Sequence, residues 1–153
     1  MKILGNDGLG KKLKVFLVIA FIIAIPIIIF LPFIMNHMAR VNSMIIIYPN
    51  GILMLGLVYQ FILLFKSLEK NNPFTYDNVN ILKRTGIISL IISIVWCLDL
   101  FYLVFMIGNT YFNYILVLVF LAVLFFGVFI ALYILSELIK QATIYKEEND
   151  LTI

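Results

Sequence analysis

The chain has 153 residues, of which 64% are hydrophobic and 12% are charged, with a formal net charge of +3. An average soluble domain has about 25% charged residues, and a small soluble domain must leave much of its surface in water. The composition therefore excludes a soluble globular domain and a disordered chain. It predicts a single membrane domain over residues 1–153.

Four stretches are long and apolar enough to cross a bilayer, which takes about 20 residues in a helix. Helices are expected because lipid offers no hydrogen bonds to free backbone groups, and the stretches lack the alternation of a β-barrel. The predicted spans cover residues 15–35, 50–69, 86–107 and 115–135. Candidates for close helix approach are Gly127 and the pair Gly51 and Gly56. We therefore predict an all-α, polytopic membrane protein with four transmembrane helices.

Lysine and arginine residues are concentrated before the first span, from Lys66 at the end of the second span to the start of the third, and after the fourth. Arg40, between the first and second spans, is the only one of the eleven outside these segments. The positive-inside rule makes these segments cytoplasmic. Both termini are then cytoplasmic, as an even number of spans requires, and residues 136–153 form a cytoplasmic tail.

The start of the second span has two interpretations, because Tyr48-Pro49-Asn50-Gly51 is a strong turn signal. In the first, the helix starts at Met44 and kinks at Pro49. In the second, the helix begins near Pro49 or Asn50, since proline suits the first turn of a helix and asparagine its cap. We favour the second interpretation, in which residues 36–48 form a small hydrophobic lid at the outer surface.

Asp99 is the one charged residue inside the third predicted span, and it lies near the middle of that span rather than at an end. An ionised carboxylate at that depth costs several kcal/mol unless it is paired or hydrated. It is either a proton or cation site, or a structural carboxyl that is protonated or bonded to a neighbouring helix. We favour the structural role, because the first and fourth spans offer no polar residues at matching depth. The conceivable partners are Gln60, Tyr59, Asn50 and Tyr102.

Residues for catalysis or metal binding are scarce, since the chain has one cysteine, Cys97, and one histidine, His37. An internal disulfide is excluded, and no His–Cys or His–His pair is present for zinc. We predict no enzymatic activity and no catalytic, metal-binding or cofactor-binding residues. Direct nucleic-acid binding is not expected either, because topology already explains the basic residues.

Two segments predicted to be cytoplasmic are more distinctive than the spans. In the first, Pro73 ends the preceding helix, and Thr75 caps a helix that starts at Tyr76, with Asp77 near its positive end. The predicted apolar contacts of this helix are Phe74, Val79 and Leu82. The segment is either a capped turn or a docking surface for a cytosolic partner. The candidate partner-binding residues are Phe74, Thr75, Tyr76, Asp77 and Asn78.

The second distinctive segment is the tail, which we predict to continue the fourth span as a helix. It carries an apolar stripe at helical spacing, formed by Leu135, Leu138, Ile139, Ala142 and Tyr145. The stripe must be buried on the 71–84 segment, on the lipid surface or against another protein, with the lipid surface least favoured. The helix is expected to give way at the acidic end. That end adds four candidate partner-binding residues, Glu147, Glu148, Asn149 and Asp150.

The run N-P-F-T-Y-D-N-V-N-I-L-K-R-T-G and the ending Y-K-E-E-N-D-L-T-I, together with the four-span layout, resemble a family of small bacterial membrane proteins. The family is known as domain of unknown function 2975. The resemblance implies a four-helix protein of the bacterial plasma membrane, often encoded beside a small helix-turn-helix DNA-binding protein. It implies no enzymatic activity and no catalytic residues.

These observations lead to one main hypothesis and two alternatives. The main hypothesis is a regulatory or sensor protein that holds a cytosolic helix-turn-helix regulator at the membrane and releases it on an envelope signal. The first alternative is a transporter-like or immunity-type protein that uses Asp99 within the bilayer. The second is an accessory subunit of a membrane complex, which would form hetero-oligomers; homo-oligomers are also compatible with the sequence.

Overall fold

The computed structural model describes residues 9–38, 43–68, 73–106 and 112–150. These ranges contain the helices α1 (Leu9–Met38), α2 (Ser43–Leu68), α3 (Tyr76–Phe101) and α4 (Phe112–Asp150), and a π-helical segment at Tyr102–Met106 continues α3. Each of the four is long and apolar enough to cross a membrane. The prediction of an all-α protein with four helices capable of spanning the membrane is thus confirmed.

The helices pack in a row in the order of the chain. α1 packs on α2, α2 on α3 and α3 on α4, and within the described ranges no other pair of helices approaches closely. α3 therefore has a protein neighbour on two sides. Most of the apolar side chains of α1 stay exposed in the isolated protein, where acyl chains of the lipid can cover them.

α3 and α4 form an antiparallel hairpin joined by small residues and serine hydroxyls. The Oγ of Ser89 donates to the carbonyl oxygen of Phe125 at 2.8 Å, and the Oγ of Ser93 donates to that of Ala122 at 2.8 Å. A Cβ placed on Gly86 would lie 3.6 Å from the Cβ of Leu132. Small residues and hydroxyls of this kind allow membrane helices to approach closely and to bond across the interface.

The buried positions of the hairpin recur at intervals of three, four or seven residues. On α3 they include Leu82, Thr85, Ser89 and Ile92, and on α4 Leu118, Ala122, Phe125, Leu132, Ser136 and Thr143. This is the spacing of a left-handed coiled coil, in which the seam repeats every 3.5 residues. The hairpin is therefore a coiled-coil-like pair whose seam mixes apolar and hydroxyl side chains.

α2 begins earlier than predicted. The helix starts at Ser43, so the favoured start near Pro49 or Asn50 is wrong, and residues 44–48 are helical rather than part of an external lid. Residues 39–42 of that predicted lid lie outside the described residues. The helix continues through Pro49 because backbone groups in a membrane have no water as an alternative partner. Asn50 does not cap the helix, since its Nδ2 donates to the carbonyl oxygen of Ile46 at 2.9 Å.

Gly51 marks a close approach of α2 to α1, as the sequence predicted. A Cβ there would lie 2.7 Å from Cγ2 of Ile28, whereas nothing lies within 4 Å of one placed on Gly56 or Gly127.

Gly51→Ala is expected to push Ile28 aside and to lower the free energy of unfolding by about 1 kcal/mol. The same change at Gly56 should have no effect or raise it by up to about 1 kcal/mol. Reversible unfolding in bicelles measures both, and equal effects would contradict the close approach.

Candidate functional site

A buried polar pair joins α2 to α3. The Nδ2 of Asn50 donates to Oδ2 of Asp99 at 2.5 Å. Asp99 is 7% exposed and Asn50 5%, so the protein itself shields both side chains. Among the predicted partners of Asp99, the structure therefore brings Asn50 to the carboxyl. The pair lies near the start of α2 and the end of α3, far along α3 from Tyr76.

Further polar atoms are buried close to this pair along the chain. The Oδ1 of Asn50 has no hydrogen-bond partner, and neither has the Nε1 of Trp96, about one turn before Asp99 on α3. Buried polar atoms normally find partners, so each orphan calls for an explanation. Among the described residues, the Asn50–Asp99 pair thus combines an ionisable group inside a membrane-spanning helix with a buried acceptor that has no partner.

The second candidate site is the opposite end of the hairpin, where its charged residues are concentrated. We call residues 73–85 and 136–149 the polar end of the hairpin. α4 has 39 residues, hence a length of about 58 Å, roughly twice the thickness of a bilayer's hydrocarbon core. Its charged residues all lie from Glu137 onward. The last part of α4 therefore extends beyond the hydrocarbon, together with the first turns of α3.

Thr75 starts α3 as predicted. Its backbone is extended, with φ of −140° and ψ of 148°, and its Oγ1 accepts a hydrogen bond from the backbone N–H of Asn78 at 3.3 Å. The helix then runs from Tyr76, with Asp77 in the first turn. A negative side chain there interacts favourably with the helix dipole. The cap fixes the direction in which the segment leaves the helix and therefore the position of Phe74.

The two distinctive segments of the sequence meet at the polar end. The Oη of Tyr76 donates to Oε2 of Glu147 at 3.4 Å. The Nζ of Lys83 lies 3.8 Å from Oε2 of Glu137, whose Oε1 lies 3.4 Å from the Nζ of Lys140. The tail thus contacts the first turns of α3, at Tyr76 and Lys83.

The helix of the tail is longer than predicted. α4 continues to Asp150, so the expectation that it gives way at Glu147 is wrong. Most helical stability in proteins comes from tertiary packing, and the contact of Glu147 with Tyr76 extends that packing nearly to the end of the helix. Residues 151–153 lie outside the described residues.

The apolar stripe of the tail is not the face that packs on α3. Leu138 is 57% and Tyr145 66% exposed, whereas the neighbouring Ser136 and Thr143 are buried. Packing of the stripe on the 71–84 segment, one of its three predicted settings, is therefore not observed for these two side chains. The seam that sequence reasoning missed mixes hydroxyl and apolar side chains at coiled-coil spacing, and that spacing was the signal that could have revealed it.

Most of the candidate partner-binding residues are accessible. Phe74, Tyr76 and Asp77 are exposed and Thr75 is half-buried, and on α4 Glu147, Glu148 and Asn149 are exposed. The side chain of Asp150 lies outside the described residues. Phe74 is 43% exposed and is not a buried contact of α3, unlike Val79 and Leu82, which are buried as predicted.

Asn78 is the exception among these candidates. Its side chain is fully buried, and its Nδ2 donates to the carbonyl oxygen of Pro73 at 2.8 Å. This bond fastens the turn before α3 to the first turn of the helix. Asn78 therefore shapes the surface that carries Phe74, and its own side chain is not part of that surface.

Comparison with known proteins gives one match. The family described as "Protein of unknown function (DUF2975)" matches residues 11–153, which confirms the family suggested by the two distinctive segments. No curated protein and no solved structure shows significant similarity to the chain.

Proposed function

The chain belongs to the DUF2975 family, and we propose that it is a regulatory protein of the bacterial plasma membrane that holds a small helix-turn-helix regulator through the polar end of the hairpin. The observation that carries the proposal is the contact of Tyr76 with Glu147. It joins two segments that are distant in the chain into one surface. The proposal takes this end, and both termini, to be cytoplasmic, as the distribution of basic residues predicts.

The chemistry of the surface suits a DNA-binding partner. Three exposed carboxylates, on Asp77, Glu147 and Glu148, accompany the exposed rings of Phe74 and Tyr76. Proteins that bind DNA present a basic face to the phosphates. An acidic surface can bind that same face, while aromatic side chains supply the anchoring contacts that are common in interfaces. A regulator held in this way cannot contact DNA, so its release from the membrane would restore binding to its operator.

Affinity capture of the full-length protein from native membranes in mild detergent tests the proposal. A helix-turn-helix protein should co-purify with the intact protein. The pair of changes Phe74→Ala and Asp77→Asn should lower its recovery about tenfold, which corresponds to about 1.4 kcal/mol. Both residues are exposed, so helix content should be unchanged.

Phe112→Ala is the matched control for this experiment, because Phe112 is 69% exposed at the other end of α4. It should leave recovery of the regulator unchanged. Equal recovery with the variant at the polar end and with the control would reject the proposed surface. Loss of recovery in both would be such a result, because the loss would not be specific to the polar end.

A further inference from the structure

In the side-chain amide of Asn50, the nitrogen makes hydrogen bonds and the oxygen makes none. Its Nδ2 group donates both to the carbonyl oxygen of Ile46 and to Oδ2 of Asp99. Its Oδ1 is an acceptor and has no donor. Leaving a buried acceptor unsatisfied costs about 1–3 kcal/mol. The side chain that Asn50 already contacts, Asp99, can supply a donor only when its carboxyl group carries a proton.

No positive charge faces Asp99 from the helices packed on α3. α2 from residue 43 to 65 and α4 from 112 to 136 contain no Lys, Arg, Asp or Glu, and their titratable groups are the phenols of Tyr48, Tyr59, Tyr114 and Tyr133. On the last turns of α3 and the π-helical segment, the other titratable groups are Cys97 and Tyr102. Within the described ranges α1 does not pack on α3. Among the described residues, an ionised Asp99 would therefore be a buried charge without a counter-ion, which is costly inside a membrane.

We propose that Asp99 is a proton-binding site and that Asn50 is its partner. The carboxylate takes up one proton from water, and the resulting O–H donates to Oδ1 of Asn50 while Nδ2 of Asn50 donates to the other carboxyl oxygen. This reciprocal pair satisfies the orphan acceptor and joins α2 to α3 by two hydrogen bonds. Loss of the proton removes one bond and leaves a negative charge between the helices, so the α2–α3 contact weakens as the pH rises through the titration of Asp99.

A metal cation fits the site less well than a proton. Hard cations take six or more oxygen ligands, whereas Asn50 and Asp99 together offer one amide oxygen and one carboxylate. Among the described residues no group of three or more His, Cys, Asp or Glu is present. A proton needs only the acceptor that the structure provides.

Infrared spectroscopy of the full-length protein in nanodiscs of ether-linked phosphatidylcholine, which has no ester carbonyl, tests the proposal. A carboxyl group in contact with water is ionised at neutral pH. A C=O stretching band of a protonated carboxylic acid is therefore expected from Asp99 alone. It should disappear in Asp99→Asn and on raising the pH, and Asp77→Asn, a matched control at an exposed position, should leave it in place. Asn50→Leu should shift the band, because the carboxyl loses its partner.

Three results would overturn the proposal. The first is the absence of a protonated carboxyl band in the wild-type protein at neutral pH. The second is a band that survives in a folded Asp99→Asn variant or that is unshifted in Asn50→Leu. The third is loss of the band on adding sodium chloride at constant pH, which would assign the site to a cation. If Asp99→Asn fails to fold, the pH titration of the wild-type band and the Asn50→Leu shift still decide the question.

Discussion

Replacing Leu82 with alanine is expected to lower the free energy of unfolding by about 2–5 kcal/mol and to separate α3 from α4 at the polar end of the hairpin. Leu82 is 1% exposed. It lies one turn before Gly86 and two turns before Ser89, both of which contact α4. The charged neighbours Lys83 and Glu137 place this level outside the hydrocarbon. When the helices separate at this level, Leu82 meets water rather than lipid, so the full hydrophobic cost applies.

Leu98→Ala is the control for this prediction, because it is the same chemical change on the same helix. Leu98 is 61% exposed in the isolated protein, so its side chain contacts lipid, and its loss should change stability by less than about 0.5 kcal/mol. Reversible unfolding in bicelles measures both variants. Amide hydrogen exchange should also rise over residues 76–84 and 137–148 in Leu82→Ala only. Equal losses of stability in the two variants would mean that the seam does not extend to Leu82.

The Leu82→Ala variant also tests the proposed function. Leu82 is buried and is not part of the exposed surface proposed to bind the regulator, yet it lies in the seam between α3, which begins beside Phe74, and α4, which carries Glu147. Leu82→Ala should therefore reduce recovery of the regulator together with the protection of amides at the polar end. The surface pair Phe74→Ala and Asp77→Asn should reduce recovery without changing that protection. Together the two variants distinguish the loss of helix packing at the polar end from the loss of the side chains that contact the regulator.

The features that the sequence predicted correctly depend on short stretches of chain. The four apolar helices follow from the length of each apolar run, because the bilayer fixes the required length. The cap at Thr75 follows from a side-chain oxygen three residues before an N–H that needs an acceptor. Asp99 was recognised as buried because it is a charge inside a span, and Asn50 was among its predicted partners.

The features that the sequence did not predict depend on what lies across an interface. In water an apolar stripe shows which face of a helix is buried, but in lipid both faces of a helix are apolar. The faces that join α3 to α4 are distinguished by Ser89, Ser93 and Ser136, which periodicity of apolar residues ignores. The start of α2 was misplaced for a related reason. A turn signal such as the one around Pro49 ends a helix in water, because water can hydrogen-bond the freed backbone groups. A membrane offers no such partner and favours continuing the helix.

Asn50→Leu is expected to lower the free energy of unfolding by about 1–3 kcal/mol, because it leaves the buried carboxyl of Asp99 without its partner. Asp99→Leu should cost less, since the Nδ2 of Asn50 keeps its bond to the carbonyl oxygen of Ile46. The double variant replaces both polar groups with apolar ones, so it should be more stable than Asn50→Leu alone. Unfolding of all four proteins in bicelles completes a double-mutant cycle.

The coupling energy between Asn50 and Asp99 measures how strongly the contact of the two side chains joins α2 to α3. Hydrogen bonds between membrane helices average about 0.6 kcal/mol in such cycles and reach about 1.7 kcal/mol. A reciprocal pair of two bonds between Asn50 and Asp99 should lie near the upper value at neutral pH. It should shrink as the pH is raised, because the ionised carboxyl can accept a hydrogen bond from Asn50 but cannot donate one. Additive costs at every pH would mean that the contact between the two side chains contributes nothing to joining α2 and α3, and the role of Asp99 would then have to be sought elsewhere.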